Sequence, residues 1–314
     1  MSKSSSFERI RTHVFALYGR RQYQEGLALS LKARRSYPRE KRDTTYWVAC
    51  FYSLVGDTEK SLRTLKEAVE GGLWWSPNGL LDEPDLKPLR DRREFQEVLE
   101  ECSRLQRKAQ RTSKPRLLVF SPRAGKHELP LLITLHGRNG NAREHAKLWK
   151  ASTQHGLIYA APQSSQMYST GRFCWDDRDR GKKEVADAFR RIAKSRAIRK
   201  EEVMLGGFSQ GGALAVRMAL EAEPIGAKGF VCVSPALTEV VSLMPLIGEA
   251  VKRRVRGYLI TGERDPSRPL IEELHRKLTS KGLACRLEVN PHLGHEYPEN
   301  FPSTLSSAIE FLLH

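Results

Sequence analysis

Two kinds of hydrophobic spacing divide the chain. Up to about residue 110, apolar side chains recur every three or four positions. Phe7, Ile10, Val14, Leu17 and Tyr18 form one such set, Trp47, Cys50, Phe51, Leu54 and Val55 a second, and Leu62, Leu65, Ala68 and Val69 a third. Each places one apolar stripe on a helix of roughly 12–15 residues. Breaks fall at residues 19–21, at Pro38, at 56–57 and at 71–72, where Gly, Pro and Asp gather. Asp57 or Thr58 is placed to cap the helix that follows. Residues 74–88, rich in Pro, Asp and Gly, read as a structured loop. Residues 91–108 read as a closing helix with Phe95, Val98, Leu99, Cys102 and Leu105 on one face.

Beyond residue 115 the period changes. Short apolar runs predict strands at 116–120, 129–135, 157–160, 203–208, 229–233, 256–261 and 284–289. Helical patterns separate them at 142–154, 182–197, 210–221, 239–252, 269–281 and 303–313. Such alternation means βαβ units, hence a doubly wound, mostly parallel sheet with helices on both faces. The basic, polar tract 107–115 ends in Pro115 and marks the boundary. The expected organisation is a helical domain over 1–110, a linker over 111–115 and an α/β domain over 116–314.

Composition narrows the class. The 314 residues are 39% hydrophobic and 29% charged, with ordinary Gly and Pro usage, which excludes disordered and collagen-like chains. The longest apolar runs, 129–135 and 229–233, are far shorter than a membrane span requires. The first residues are polar, so no secretory leader is expected. Five cysteines without a C-x-x-C spacing suggest neither disulfides nor zinc, and a reducing, cytoplasmic setting is expected. A net charge of +16 attracts polyanions without specificity. It is shared by both halves, on helix faces interleaved with Asp and Glu, and no RNP or zinc-finger motif accompanies it. No specific nucleic-acid partner is expected.

The chemistry concentrates at predicted strand ends, where open α/β sheets hold their sites. Gly207-Phe208-Ser209-Gln210-Gly211 fits G-x-S-x-G between a strand and a helix. A tight corner there needs glycine, lifts Ser209 above the sheet and leaves the Gln210 amide at a helix N-terminus. A serine hydroxyl needs a base, and the base needs an orienting acid. Asp265 follows the strand 256–261, with Glu263 as its competitor. His295 follows the strand 284–289, with His292 as its competitor. The glycine before His295 and the Glu296-Tyr297-Pro298 run after it favour His295. The Arg138 amide, in the glycine-containing loop after the strand 129–135, is the natural second oxyanion donor beside Gln210. His136 there braces the loop and is not read as the base. Residues 162–179 read as a long loop above the site, with Trp175 as the candidate substrate contact. No H-E-x-x-H, P-loop or G-x-G-x-x-G occurs, so no metal or cofactor is expected.

The His136-Gly137 turn, the Gly207–Gly212 elbow, the Gly262-to-Asp265 loop and the Gly294-His295 loop together resemble the α/β-hydrolase superfamily. They are most similar to its phospholipase/carboxylesterase and dienelactone-hydrolase-like branches, over about residues 114–314. The resemblance implies a Ser209, Asp265 and His295 triad and hydrolysis of a small-molecule ester or acyl substrate. Thioester or peptide cleavage on the same triad is the alternative, as is a non-catalytic interaction scaffold. It also implies first strands that are shortened or missing. Tyr23, Gly26, Ala33 and Pro38, followed by Ala49, Tyr52, Gly56, Ser61, Leu65 and Ala68, resemble one or two degenerate tetratricopeptide repeats. That likeness implies a protein partner for the helical region.

Overall fold

The computed structural model of the protein describes residues 3–122 and 127–314, with side chains from residue 6 onward. Met1 and Ser2, at the start of the expected helical domain, lie outside the described residues. Two compact units emerge. One comprises Met1–Thr112 with Tyr168–Thr170, the other Ser113–Met167 with Gly171–His314.

The first unit holds helices α1 (Lys3–Gly19), α2 (Tyr23–Ser36), α3 (Lys41–Leu54), α4 (Thr58–Glu70), α5 (Pro77–Asp82) and α6 (Arg93–Thr112). The Asp57 side chain caps α4 by accepting from the Lys60 amide at 3.0 Å. Small residues sit where helices cross. A Cβ on Gly26 of α2 would lie 2.4 Å from Phe51 Cε1 of α3, so any larger residue would require the Phe51 ring to move. On α4, Ser61 Oγ donates to the Ala49 carbonyl of α3 at 2.7 Å.

Two expectations need correction here. Residues 74–88, expected as a structured loop, are largely helical. They contain α5, capped by Ser76 at 3.3 Å from the Gly79 amide, and a 3-10 helix, Pro84–Leu89. Leu80, Leu86 and Leu89 are fully buried, and this burial organises the segment. The expected linker is also shorter, because α6 runs on through Thr112. Residues 107–112 are mostly good helix formers. The helix ends near the residue that precedes Pro115, where proline disfavours helical backbone.

The second unit follows the predicted alternation closely. Its elements are β1 (Arg116–Phe120), β2 (Leu129–Leu135), α7 (Ala142–Trp149), β3 (Ile158–Gln163), β4 (Gln166–Ser169), β5 (Arg172–Cys174) and α8 (Arg178–Ser195). Then come β6 (Ile198–Phe208), α9 (Ser209–Leu220), β7 (Gly229–Val233), α10 (Met244–Lys252), β8 (Arg256–Gly262), α11 (Arg268–Ser280), β9 (Ala284–Asn290) and α12 (Phe301–Leu313). Among the described residues, seven strands form one sheet in the order β1-β3-β2-β6-β7-β8-β9. Only β1 runs antiparallel, against β3, and it fills the sheet's first edge. The pairs Leu135–Gly207, Phe208–Val233 and Gly262–Asn290 bring the carboxyl ends of β2, β6, β7, β8 and β9 to one side. The stretch 162–179 departs from its expected loop: β4 and β5 pair within it as a second, two-stranded sheet.

Alternate residues of each strand feed two cores. Leu131, Ile133, Val203, Leu205, Phe230 and Leu259 face one side, and Leu132, Met204, Val231 and Ile260 the other. Continuous burial of β7 and near-continuous burial of β2 and β8 is what a sheet covered on both faces requires. Leu205 has no exposed surface. Leu205→Ala should lower unfolding stability by about 2–5 kcal/mol through lost burial and the cavity left behind. Urea unfolding would show this as a lower midpoint with an unchanged slope.

Candidate active site

The elbow is made by backbones that nearly touch. A Cβ on Gly211 would lie 2.4 Å from both the His136 and Leu135 carbonyl oxygens, and one on Gly207 2.6 Å from the Leu135 oxygen. No other residue fits either place. Ser209 sits between them with φ +53°, a left-handed conformation costly for a side-chain-bearing residue. It opens α9, whose first amides lack partners within the helix, and the Gln210 amide is one of them.

The loop after β2 packs against this corner. A Cβ on Gly137 would meet Phe208 Cδ1 at 2.9 Å and Ser209 Cβ at 3.4 Å. The chain then turns through Asn139 at φ +58°, and the Gly140 amide donates to the Gly137 carbonyl at 3.1 Å. Arg138 lies within that turn. His136 is buried. Its Nδ1 is 2.9 Å from the Gly137 carbonyl, and its Nε2 is 3.3 Å from the Ser164 amide. Nδ1 therefore carries the hydrogen and Nε2 accepts. Burial lowers its pKa to about 4, so the ring is neutral and braces the loop.

Three side chains from three strand ends meet above the sheet. His295 Nε2 lies 2.8 Å from Ser209 Oγ, and His295 Nδ1 lies 3.0 Å from Asp265 Oδ1. Asp265 follows β8 and its side chain is fully enclosed. Burial pushes its carboxyl up, but hydrogen bonds, His295 and the Ser267 amide among them, outweigh this and hold it below the usual carboxylate range. Thr261 Oγ1 donates to Oδ2 at 3.1 Å, and the Ser267 amide to Oδ1 at 2.8 Å.

The histidine loop is lashed to the acid loop. The Arg264 amide donates to the Leu293 carbonyl at 2.8 Å, and the Glu263 amide to the Asn290 carbonyl at 2.9 Å. A Cβ on Gly262 would lie 2.2 Å from the Leu293 oxygen, so the crossing demands glycine. The competitors Glu263 and His292 occupy each other: the His292 amide donates to Glu263 Oε2 at 2.9 Å, and both side chains are exposed.

Trp175 departs from its expected role as a substrate contact. It is 1% exposed, its Nε1 donates to the His136 carbonyl at 2.8 Å, and its ring lies against His136. It supports the loop after β2 from behind. Sequence reasoning also passed over Tyr297 and His145. The Tyr297 ring stacks on Phe208 at 4.7 Å, its hydroxyl accepts from Trp149 Nε1 at 3.0 Å, and it lies 3.2 Å from His145 Nδ1. It thereby anchors the loop just after His295. The Tyr297-Pro298 step into α12 was the available signal.

Elsewhere, Cys50, Glu83 and Asp85 of the helical unit bring potential ligand atoms within 4.8 Å of one another. The Tyr46 and Tyr18 hydroxyls donate to the two carboxylates at 2.6 and 3.0 Å, and burial holds the Cys50 thiol protonated. Among the described residues, no helix is long and apolar enough to cross a membrane.

This arrangement defines a class. Residues 130–309, more than half of the chain, match the alpha/beta hydrolase fold family, and the chain belongs to it. Residues 9–110 match the A/B hydrolase-like N-terminal domain. An uncharacterized protein from Bacillus cereus ATCC 10987 is similar over 98% of each chain, at 24% identity and a TM-score of 0.57. Esterase PE8 is similar over 64% of this chain and 98% of its own, at 19% identity and TM-score 0.53. Zea mays acyl-protein thioesterase 2 is similar over 63% and 99%, at 18% identity and TM-score 0.53. At these identities the likeness is one of fold. No curated protein is matched by the chain.

The buried imidazoles generate an acid sensitivity. His136 falls from an ordinary value of 6.5 to about 4, and His145 shifts in the same direction, both through burial. The folded state then binds fewer protons than the unfolded chain between those values. This contribution to stability is complete above about pH 6.5 and is lost as pH falls toward 4. The His136 share is on the order of 3 kcal/mol. Urea midpoints should drop between pH 7 and pH 4.5, and less steeply in His136→Gln; an unchanged slope would refute the assignment.

Proposed function

We propose that the chain is a serine hydrolase that cleaves carboxylic esters through an acyl-enzyme. The observation that carries this reading is the continuous relay from Ser209 through His295 to Asp265, at 2.8 and 3.0 Å. In the resting state His295 Nδ1–H donates to Asp265, which leaves Nε2 free to accept the Ser209 proton. Attack of Oγ on the acyl carbon forms the C–O bond as that proton passes to Nε2. Asp265 stabilises the imidazolium, and the Gln210 and Arg138 amides receive the oxyanion. His295 then gives the proton to the departing alcohol. Water, deprotonated by the same nitrogen, attacks the acyl-enzyme and releases the acid.

The same parts serve a thioester, whose leaving group is a thiol. For the helical unit we propose a degenerate tetratricopeptide-like array that takes a protein segment, on the strength of its close crossings at Gly26 and Ser61. A cytoplasmic setting accords with five unpaired cysteines, four of them buried.

Ser209→Ala should cut hydrolysis of a p-nitrophenyl ester by several orders of magnitude with the melting temperature preserved. His295→Ala and Asp265→Asn should each cripple turnover, and adding either to Ser209→Ala should cost little more, because the three act as a unit. A fluorophosphonate should label the wild type and spare Ser209→Ala. Retention of more than about a tenth of the wild-type rate in Ser209→Ala would sink the reading.

A further inference from the structure

The two oxyanion donors stand on different elements. Gln210 belongs to the first turn of α9, which the helix itself keeps in place. Arg138 belongs to a turn of a few residues after β2. Oxyanion stabilisation depends on both amides aiming at one point before charge develops, so something must hold the loop donor in register with the helix donor. The side chains of these same two residues converge on one carboxylate. Asp176 Oδ1 accepts from Arg138 Nε at 3.1 Å, from Arg138 Nη2 at 2.5 Å and from Gln210 Nε2 at 2.6 Å.

The carboxylate is itself firmly mounted. Gln210 Oε1 accepts from the Trp175 amide at 2.8 Å, so the Gln210 side chain is held at both ends. Trp175 Nε1 is bonded to the His136 carbonyl, one residue from the loop's glycine. On the other side, the Asp177 amide donates to Gln166 Oε1 at 2.7 Å, and Asp177 caps α8 by accepting from the Arg180 amide at 3.0 Å. Asp176 thus sits between two anchored neighbours.

We propose that Asp176 is a positioning residue that keeps the two oxyanion donors in register by gripping the side chains of Arg138 and Gln210. The role rests on the ester-hydrolase reading above and deepens it. Charge balance is part of the device. A lone carboxylate near a developing oxyanion would oppose it, and the guanidinium of Arg138 compensates that charge in place. Burial raises the Asp176 carboxyl, but the Arg138 and Gln210 hydrogen bonds bring it net below its ordinary value, so it is ionised at neutral pH.

The grip acts on the transition state, where the oxygen carries charge, more than on the bound ester. Asp176→Ala should therefore lower kcat by about 10- to 100-fold, up to the loss for a misplaced reacting group and short of the loss for removing an oxyanion donor outright, with KM changed less than about threefold. Asp176→Asn, whose amide oxygen still accepts, should fall between Asp176→Ala and wild type. An alkyl boronic acid provides the decisive readout. Ser209 Oγ bonds to boron, its proton passes to His295, and a boron-bound oxygen occupies the oxyanion position. Its inhibition constant should weaken across the variants in proportion to kcat/KM. If Asp176→Ala keeps kcat and boronate inhibition within about twofold of wild type, the role is overturned. A loss confined to KM, or a kcat loss with boronate inhibition untouched, overturns it equally. Should Asp176→Ala fail to fold, Asp176→Asn carries the same comparison. Fluorophosphonate labelling of the wild type separates the two layers. A labelled wild type with an undisturbed Asp176→Ala removes only this role, whereas an unlabelled wild type removes the hydrolase reading and this role with it.

Discussion

Everything in the site depends on how closely the end of β2 approaches the first turn of α9. The Leu135 and His136 carbonyls come within 2.4 Å of where a Gly211 Cβ would be. That space admits hydrogen and nothing larger. The contact brings the turn holding Arg138 up against the start of α9, where the Gln210 amide lies. It also holds Ser209 in its left-handed conformation, a strain of about 1–3 kcal/mol. Such a conformation persists only where its surroundings over-determine it. Here Gly137 presses on Phe208, Phe208 stacks on Tyr297, and Tyr297 is hydrogen-bonded into the lower core through Trp149.

The parallel sheet supplies the second constraint. It gathers carboxyl ends on one edge, so residues 209, 265 and 295 meet although 86 positions separate the first from the last. Adjacency of β8 and β9 places acid and base loops side by side, and the 2.2 Å clearance at Gly262 lets one cross the other. The burial gradient along the relay matters chemically. The Asp265 side chain is fully enclosed, whereas His295 is about one-third exposed. A buried anion under a ring with one open side lets that ring gain a proton and still meet a leaving group or water.

The placement of Ser209, Asp265 and His295, in that order and each just past a strand, was legible because it rests on local pattern: a G-x-S-x-G corner, and polar residues just past apolar runs. Spacing alone left Glu263 beside Asp265 and His292 beside His295. In the fold the Leu293 carbonyl crosses over Gly262, Glu263 and His292 turn outward to each other, and Asp265 and His295 meet. Trp175 misled because an aromatic in a polar stretch looks the same in sequence whether it faces a ligand or the back of a loop. Its indole N–H decided for the His136 carbonyl. The contacts of His145 and Tyr297 were hidden for the same reason: their partners, Thr134 and Trp149, come from other elements. In the helical unit the stripes showed the long helices. The segment 74–88 hid its short ones, since Pro and Asp begin helices as readily as they fill loops.

The charge of +16 and the chemistry above Ser209 act at different ranges. Around Ser209, Arg138 is paired with Asp176 and Arg268 with Glu272. Each pair nearly cancels beyond its own length. Many of the remaining basic residues lie on exposed helix faces, and charge beyond a Debye length of about 8 Å at physiological salt is largely screened from the site. It can raise the encounter rate of an anionic substrate or partner. In the proposed reaction it cannot substitute for the Gln210 and Arg138 amides, because only donors fixed within hydrogen-bond distance strengthen as charge moves onto the acyl oxygen. The surplus of arginine and lysine therefore bears on what arrives, and the glycine-enforced contact at the elbow on what reacts.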